Sequence, residues 1–83
     1  MLRKVISPES LGSALREERK KKGLSQGEAG KSVGMDQPTV SRVEQGNAGT
    51  RLDTLFRLMA ALDLELVLQS RQPPAGKKNQ GDW

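Results

Sequence analysis

The sequence predicts an all-α domain of four short helices, closed by one short extended segment. Three observations carry that expectation. Helix-start residues recur at Ser7, Ser25, Asp36 and Thr50; apolar residues from Leu52 to Leu62 repeat at helical spacing; and after Asp63 the repeat drops to two residues. A chain of 83 residues holds one core. Hydrophobic residues make up 34% of it, and Phe56 and Trp83 are its aromatic residues. Its core is therefore built from Leu, Val, Ile, Ala and Met, thin enough that a partner subunit would add needed burial.

Ser7-Pro8-Glu9 places an N-cap, a proline at the first helical position and an acid where the helix dipole favours it. Leu11, Ala14 and Leu15 follow at i, i+3, i+4, and Arg19-Lys20-Lys21-Lys22 closes on Gly23, so helix one spans about residues 8–22. Ser25-Gln26-Gly27-Glu28 fits a capping box for a short second helix over residues 26–32. Ala29-Gly30 in its middle predicts either fraying or an unusually close neighbour, since an interior glycine costs about 1 kcal/mol against alanine. Asp36 caps a third helix with Gln37 and Pro38 in its first turn, Val40 and Val43 facing inward, and Gly46 as its stop. Thr50 caps a fourth, whose stripe is Leu52, Leu55, Phe56, Met59 and Leu62.

The alternating run Leu64-Glu65-Leu66-Val67-Leu68-Gln69 predicts a β-strand. A lone strand needs a partner, either Leu2 to Ile6 or the same strand of a second subunit. Its unpaired backbone favours dimerisation through Leu64, Leu66, Val67 and Leu68. Ser70 to Trp83 is polar and contains Pro73 and Pro74, a composition that predicts a tail without its own core. The domain division expected is 1–70 for the folded unit and 71–83 for the tail.

Cysteine and histidine are absent, which excludes disulfides, thiolate or imidazole metal sites and every His- or Cys-based catalytic centre. No carboxylate pair is placed for catalysis, so neither an enzyme nor a cofactor is expected. No apolar run spans a membrane and the N-terminus has no apolar leader, which makes the cytoplasm the default. The net charge of +4 suits an anionic partner, but half of it lies in residues 71–83, where Arg71, Lys77 and Lys78 face Asp82 alone. Charge placement, not charge total, must support nucleic-acid binding.

Three segments have a recognisable register. Gly23-Leu24-Ser25-Gln26, then Val33 to Gly46 with its Gln-x-Thr-x-Ser-Arg-x-Glu-x-Gly pattern, then Thr50-Arg51-Leu52-Asp53-Thr54-Leu55 together resemble the helix-turn-helix of the XRE family, the lambda-repressor and Cro type. A narrower resemblance, through Ile6-Ser7-Pro8, the strand at Leu64 to Leu68 and a polar tail ending in tryptophan, is to the HipB-type antitoxins that partner HipA kinase toxins. The resemblance implies a homodimer with a strand from each subunit, operator binding that represses its own operon, and a complex with a HipA-like serine/threonine kinase toxin.

The residues allow that chemistry. Gln37, Pro38, Thr39, Ser41 and Arg42 lie in the first turns of helix three, the end that enters a major groove. A glutamine amide suits adenine N6 and N7, the Thr39 methyl a thymine methyl, and Arg42 a guanine or a phosphate. Gln26, opening helix two, suits a phosphate oxygen. Taken singly, each is an ordinary solvated helix residue, and only the shared register separates an operator-binding repressor from a stand-alone regulator or a protein-interaction module. Lys20 to Lys22 suit either the DNA backbone or the dipole of their own helix. Asp36 is an awkward neighbour for phosphates, so its expected role is the cap. By the resemblance, Arg19 and Glu44 form a buried structural ion pair, and Trp83 contacts the toxin, as terminal aromatics anchor well in partner pockets.

Overall fold

A computed structural model describes residues 3–71. Four α-helices follow in order: α1 over Pro8–Lys21, α2 over Gln26–Lys31, α3 over Gln37–Glu44 and α4 over Leu52–Ala61. The expected starts of α1 to α3 hold. Ser7 and Ser25 form capping boxes and Asp36 accepts the Thr39 amide. At α4 the cap position is Arg51, one residue later than expected, and no side chain closes it. Thr50 instead gives its amide to Asn47 in the preceding turn.

Every helix ends in the same way. At the end of α1 the Gly23 amide bonds to the Lys20 carbonyl and the Leu24 amide to the Arg19 carbonyl, the paired bonds of a Schellman close. The pattern recurs at Gly34-Met35, Gly46-Asn47 and Asp63-Leu64. The first three turn on glycines with positive φ, while α4 turns on Asp63 at φ 58°, a conformation an aspartate tolerates better than most side chains. The residue after the turn drops an apolar side chain onto the core at Leu24, Met35 and Leu64.

The core joins one face of each helix: Leu15 from α1, Ala29 from α2, Val40 and Val43 from α3, and Leu55, Leu58, Met59 and Leu62 from α4 and its cap. Val40, Leu58 and Leu62 are sealed from solvent. The α4 stripe is rotated from the expected one. Leu55, Leu58, Met59 and Leu62 point inward, whereas Leu52 and Phe56 remain 70% and 47% exposed. Leu58 sits one turn after Leu55 on the line of the core, so four positions fill it and the flanking pair is left outside.

Two buried glycines set the helix spacing. A Cβ at Gly12 would stand 2.5 Å from the Glu44 carbonyl oxygen, and one at Gly30 would stand 2.3 Å from the Met35 carbonyl oxygen and 3.0 Å from Val40 Cγ2. The glycine in the middle of α2 is therefore the mark of close approach to the α2–α3 turn, and α2 is a formed helix.

The strand expected at residues 64–69 is not present among the described residues, and Arg3 to Ile6 do not pair with it. A strand exists only as part of a hydrogen-bonded ladder, and one chain supplies no second rung here. Leu64 packs on the core, while Leu66, Val67 and Leu68 are exposed. Trp83 and nearly all of the expected tail, residues 72–83, lie outside the described residues. No helix among the described residues is long and apolar enough to cross a membrane.

Candidate nucleic-acid interface

α2, a tight turn and α3 place the start of α3 on the surface, because Val40 and Val43 anchor its opposite side in the core. Gln37, Pro38 and Arg42 are exposed, and Thr39 and Ser41 are half-buried. Asp36 accepts the Thr39 amide at 3.0 Å and also the Thr39 hydroxyl. Arg42 Nη2 donates to Thr39 Oγ1 at 3.3 Å. The Thr39 hydroxyl, then the Thr39 amide, and more weakly the Arg42 charge hold the Asp36 carboxyl below its usual range. Asp36 is thus an ionised cap that orients Thr39, as its position at the helix start suggests. Ser41 points along its own helix and accepts from Gln45 Nε2 at 3.1 Å.

Beneath this surface runs a continuous hydrogen-bonded network. Arg19 grips Glu44 through two bonds, Nε to Oε2 at 2.6 Å and Nη2 to Oε1 at 3.0 Å. The side chains are 9% and 2% exposed. Arg19 Nη1 also donates to the Leu24 carbonyl at 2.7 Å, tying the end of α1 into the pair. The bond to Glu44 raises the Arg19 pKa against the opposing effect of burial. A pair so enclosed binds α1 to α3, and removing one partner strands a charge at a cost of about 3–5 kcal/mol.

The network continues outward. Gln26 Nε2 donates to Glu44 Oε1 at 3.1 Å, and Gln26 Oε1 accepts from Gln37 Nε2 at 2.6 Å. Gln26 and Gln37, expected from the sequence as two separate DNA contacts, are joined to the Arg19–Glu44 pair that the resemblance implied. Their connection is invisible in the sequence, because 18 and 11 residues separate the two bonds involving Gln26.

Two features had no sequence signal. A shallow polar cleft of about 180 Å³ beside α3 is lined by Arg42, Asn47, Thr50, Arg51 and Thr54, bringing two guanidinium-bearing residues to one anion-sized depression. Arg57 of α4 donates to the carbonyls of Val33 and Gly34, closing the turn before α3 from behind. Among the described residues, no group of three or more acidic side chains is placed to hold a metal ion.

Comparison with known proteins agrees with this geometry. A helix-turn-helix family model matches residues 15–69. Antitoxin HipB of Escherichia coli O6:H1 strain CFT073 is 30% identical over 96% of this chain and 88% of its own length. Antitoxin HipB of Escherichia coli K12 is 29% identical over 96% and 94%. Among solved structures, one described as a HipA-HipB-O2-O3 complex has a chain superposing with a TM-score of 0.81 at 31% identity, over 86% of this chain and all of that one. The restriction-modification controller protein C.AhdI from Aeromonas hydrophila gives 0.64 at 38% identity, over 70% and 84%. A surface-held α3, a buried Arg19–Glu44 clamp behind it and a match across residues 15–69 agree, and the chain belongs to the helix-turn-helix family that includes the HipB antitoxins.

Proposed function

We propose that the protein is a DNA-binding transcriptional repressor that acts as the antitoxin of a HipA-like serine/threonine kinase and controls its own operon. The observation that carries this reading is the start of α3. On the side of α3 away from the core, its exposed Gln37 amide is held by Gln26 and its exposed Arg42 guanidinium by the Thr39 hydroxyl. Gln37 reads a base edge, Pro38 and the Thr39 methyl meet thymine methyls, and Arg42 reaches a guanine or a phosphate. Ser41 adds a hydroxyl to the same face, while Gln26 and the Arg51 cleft take the backbone. The protein works by binding, not by catalysis.

The functional unit in this reading is a homodimer. Residues 1–70 form the DNA-binding and dimerisation unit, joined through Leu64, Leu66, Val67 and Leu68, and residues 71–83 form the tail whose Trp83 contacts the kinase. Exposed Leu66, Val67 and Leu68, together with Leu52 and Phe56, support this: so much apolar surface on a small domain marks a contact face. Solved HipA-HipB and HipB-20mer complexes are the precedent for both partners. A repressor of its own operon works beside the chromosome, so the site of action is the cytoplasm.

Fluorescence titration of a palindromic duplex from the region upstream of its own gene tests the reading. The slope of log affinity against log salt is expected to be about −0.9 for each phosphate neutralised. Gln37→Ala should cost about 1–3 kcal/mol on the palindrome and little on unrelated duplex. Arg51→Ala should weaken all duplexes alike and make the salt slope shallower by about 1. Binding that ignores both salt and sequence rejects repression.

A further inference from the structure

Asp36 uses only one of its two carboxylate oxygens on the helix it caps. Oδ1 takes both the Thr39 amide at 3.0 Å and the Thr39 hydroxyl, while Oδ2 has no hydrogen bond to any other described residue. The Thr39 hydroxyl proton is committed to Asp36, so its oxygen is left to accept from Arg42 Nη2 at 3.3 Å. Arg42 is thereby held by Thr39, and among the described residues Asp36 forms no ion pair. The buried Met35 before it and Pro38 in the first turn after it fix the backbone on either side. The result is an exposed, ionised acceptor at the tip of α3, held in place by its own cap bonds.

We infer that Asp36 is a specificity-determining residue, its unused Oδ2 accepting from the N4 amino group of a cytosine and so selecting cytosine over guanine at one position of the operator. The inference rests on the reading that α3 enters the major groove. There a carboxylate meets phosphate charge along both walls, and only a donor on the groove floor compensates its lost hydration. Guanine presents two acceptors, N7 and O6, and thymine presents O4. Adenine sets its N6 donor beside the N7 acceptor, whereas cytosine offers its N4 donor with no acceptor next to it. A charge that weakens binding to duplex in general therefore sharpens the choice among duplexes, because every wrong base leaves it uncompensated.

Duplexes enriched from a randomised pool by the wild-type protein supply the probe, with each variant assayed at a temperature where circular dichroism shows it folded. Gln37→Ala marks the register, since Asp36 and Gln37 are consecutive. Next to the pair whose preference disappears in Gln37→Ala, wild type should favour cytosine over guanine by about ten-fold or more. Asp36→Asn keeps a cap acceptor for the Thr39 amide and adds a donor, so its consensus should exchange that cytosine for adenine. Asp36→Ser, a cap of shorter reach, should reduce the preference there to under about three-fold and leave the other positions unchanged. If both variants keep the wild-type consensus, with affinity uniformly higher or lower, Asp36 is a cap or a bulk charge only and the inference fails. A wild-type consensus without cytosine beside the Gln37 pair overturns it equally. Failure of wild type to enrich any consensus, or of Gln37→Ala to alter it, overturns the reading of α3 itself, and this inference with it.

Discussion

Gly27 and Gly30 stand one turn apart on α2 and are expected to respond in opposite directions to the same substitution. A Cβ at Gly27 meets nothing closer than Ser25 Oγ at 3.9 Å, so Gly27→Ala should raise stability by up to about 1 kcal/mol through helix propensity. A Cβ at Gly30 would meet the Met35 backbone, which cannot move aside without disturbing the turn into α3. Gly30→Ala should lower stability by about 1–3 kcal/mol. Urea denaturation of the two variants reads both signs, and a stabilised Gly30→Ala would show that α2 is loosely held. The sequence marks both glycines as unusual without distinguishing them, because local spacing contains no information about the backbone across the turn. Arg19 and Glu44 were legible only through the family register, since nothing along the chain between two positions 25 apart says that the two charges will be enclosed together.

Helix starts were the most legible elements, because a cap is a local bargain between one side chain and an amide three residues on. Ser7, Ser25 and Asp36 all make that bond. Two of these caps make the fold acid-sensitive. The Asp36 carboxyl is lowered first by the Thr39 hydroxyl, and the Glu28 carboxyl first by the Ser25 amide. In both, the folded state binds the proton less readily than the unfolded chain does. Their contribution is complete above the ordinary values of 3.8 and 4.5 and disappears as pH falls through the lower folded values. Stability measured by urea midpoint should therefore fall from pH 5 to pH 2, and more gently in Asp36→Asn paired with Glu28→Gln. An unchanged acid limb in that double variant would remove these carboxylates as its source. α4 was legible as a helix but not in its facing, since Leu52, Leu55, Leu58, Phe56, Met59 and Leu62 wrap too wide a stripe for period alone to choose the buried line.

At the scale of the molecule, the apolar surface left by that choice leads to a prediction about mass. Leu52, Phe56, Leu66, Val67 and Leu68 are all exposed on one chain. Sedimentation at micromolar concentration should give twice the 9.1 kDa chain mass, and Leu66→Asp with Leu68→Asp should give the single mass while leaving the helical circular dichroism signal. A monomeric wild type would remove the dimer. The expected strand at residues 64–69 illustrates why such a property escapes a single chain: alternation specifies which residues share a face, but the ladder that makes a strand must come from elsewhere. By itself the sequence determined four helices, three of their caps, the glycine stops of α1 and α3, and the exposed residues at the start of α3, because each depends on neighbours within about four positions. Only the tertiary structure decided which face of α4 is buried, how closely α2 and α1 approach α3, and that Gln37, Gln26, Glu44 and Arg19 form one connected line. Those outcomes depend on packing between distant segments, where shape and charge meet without leaving any periodic trace along the chain.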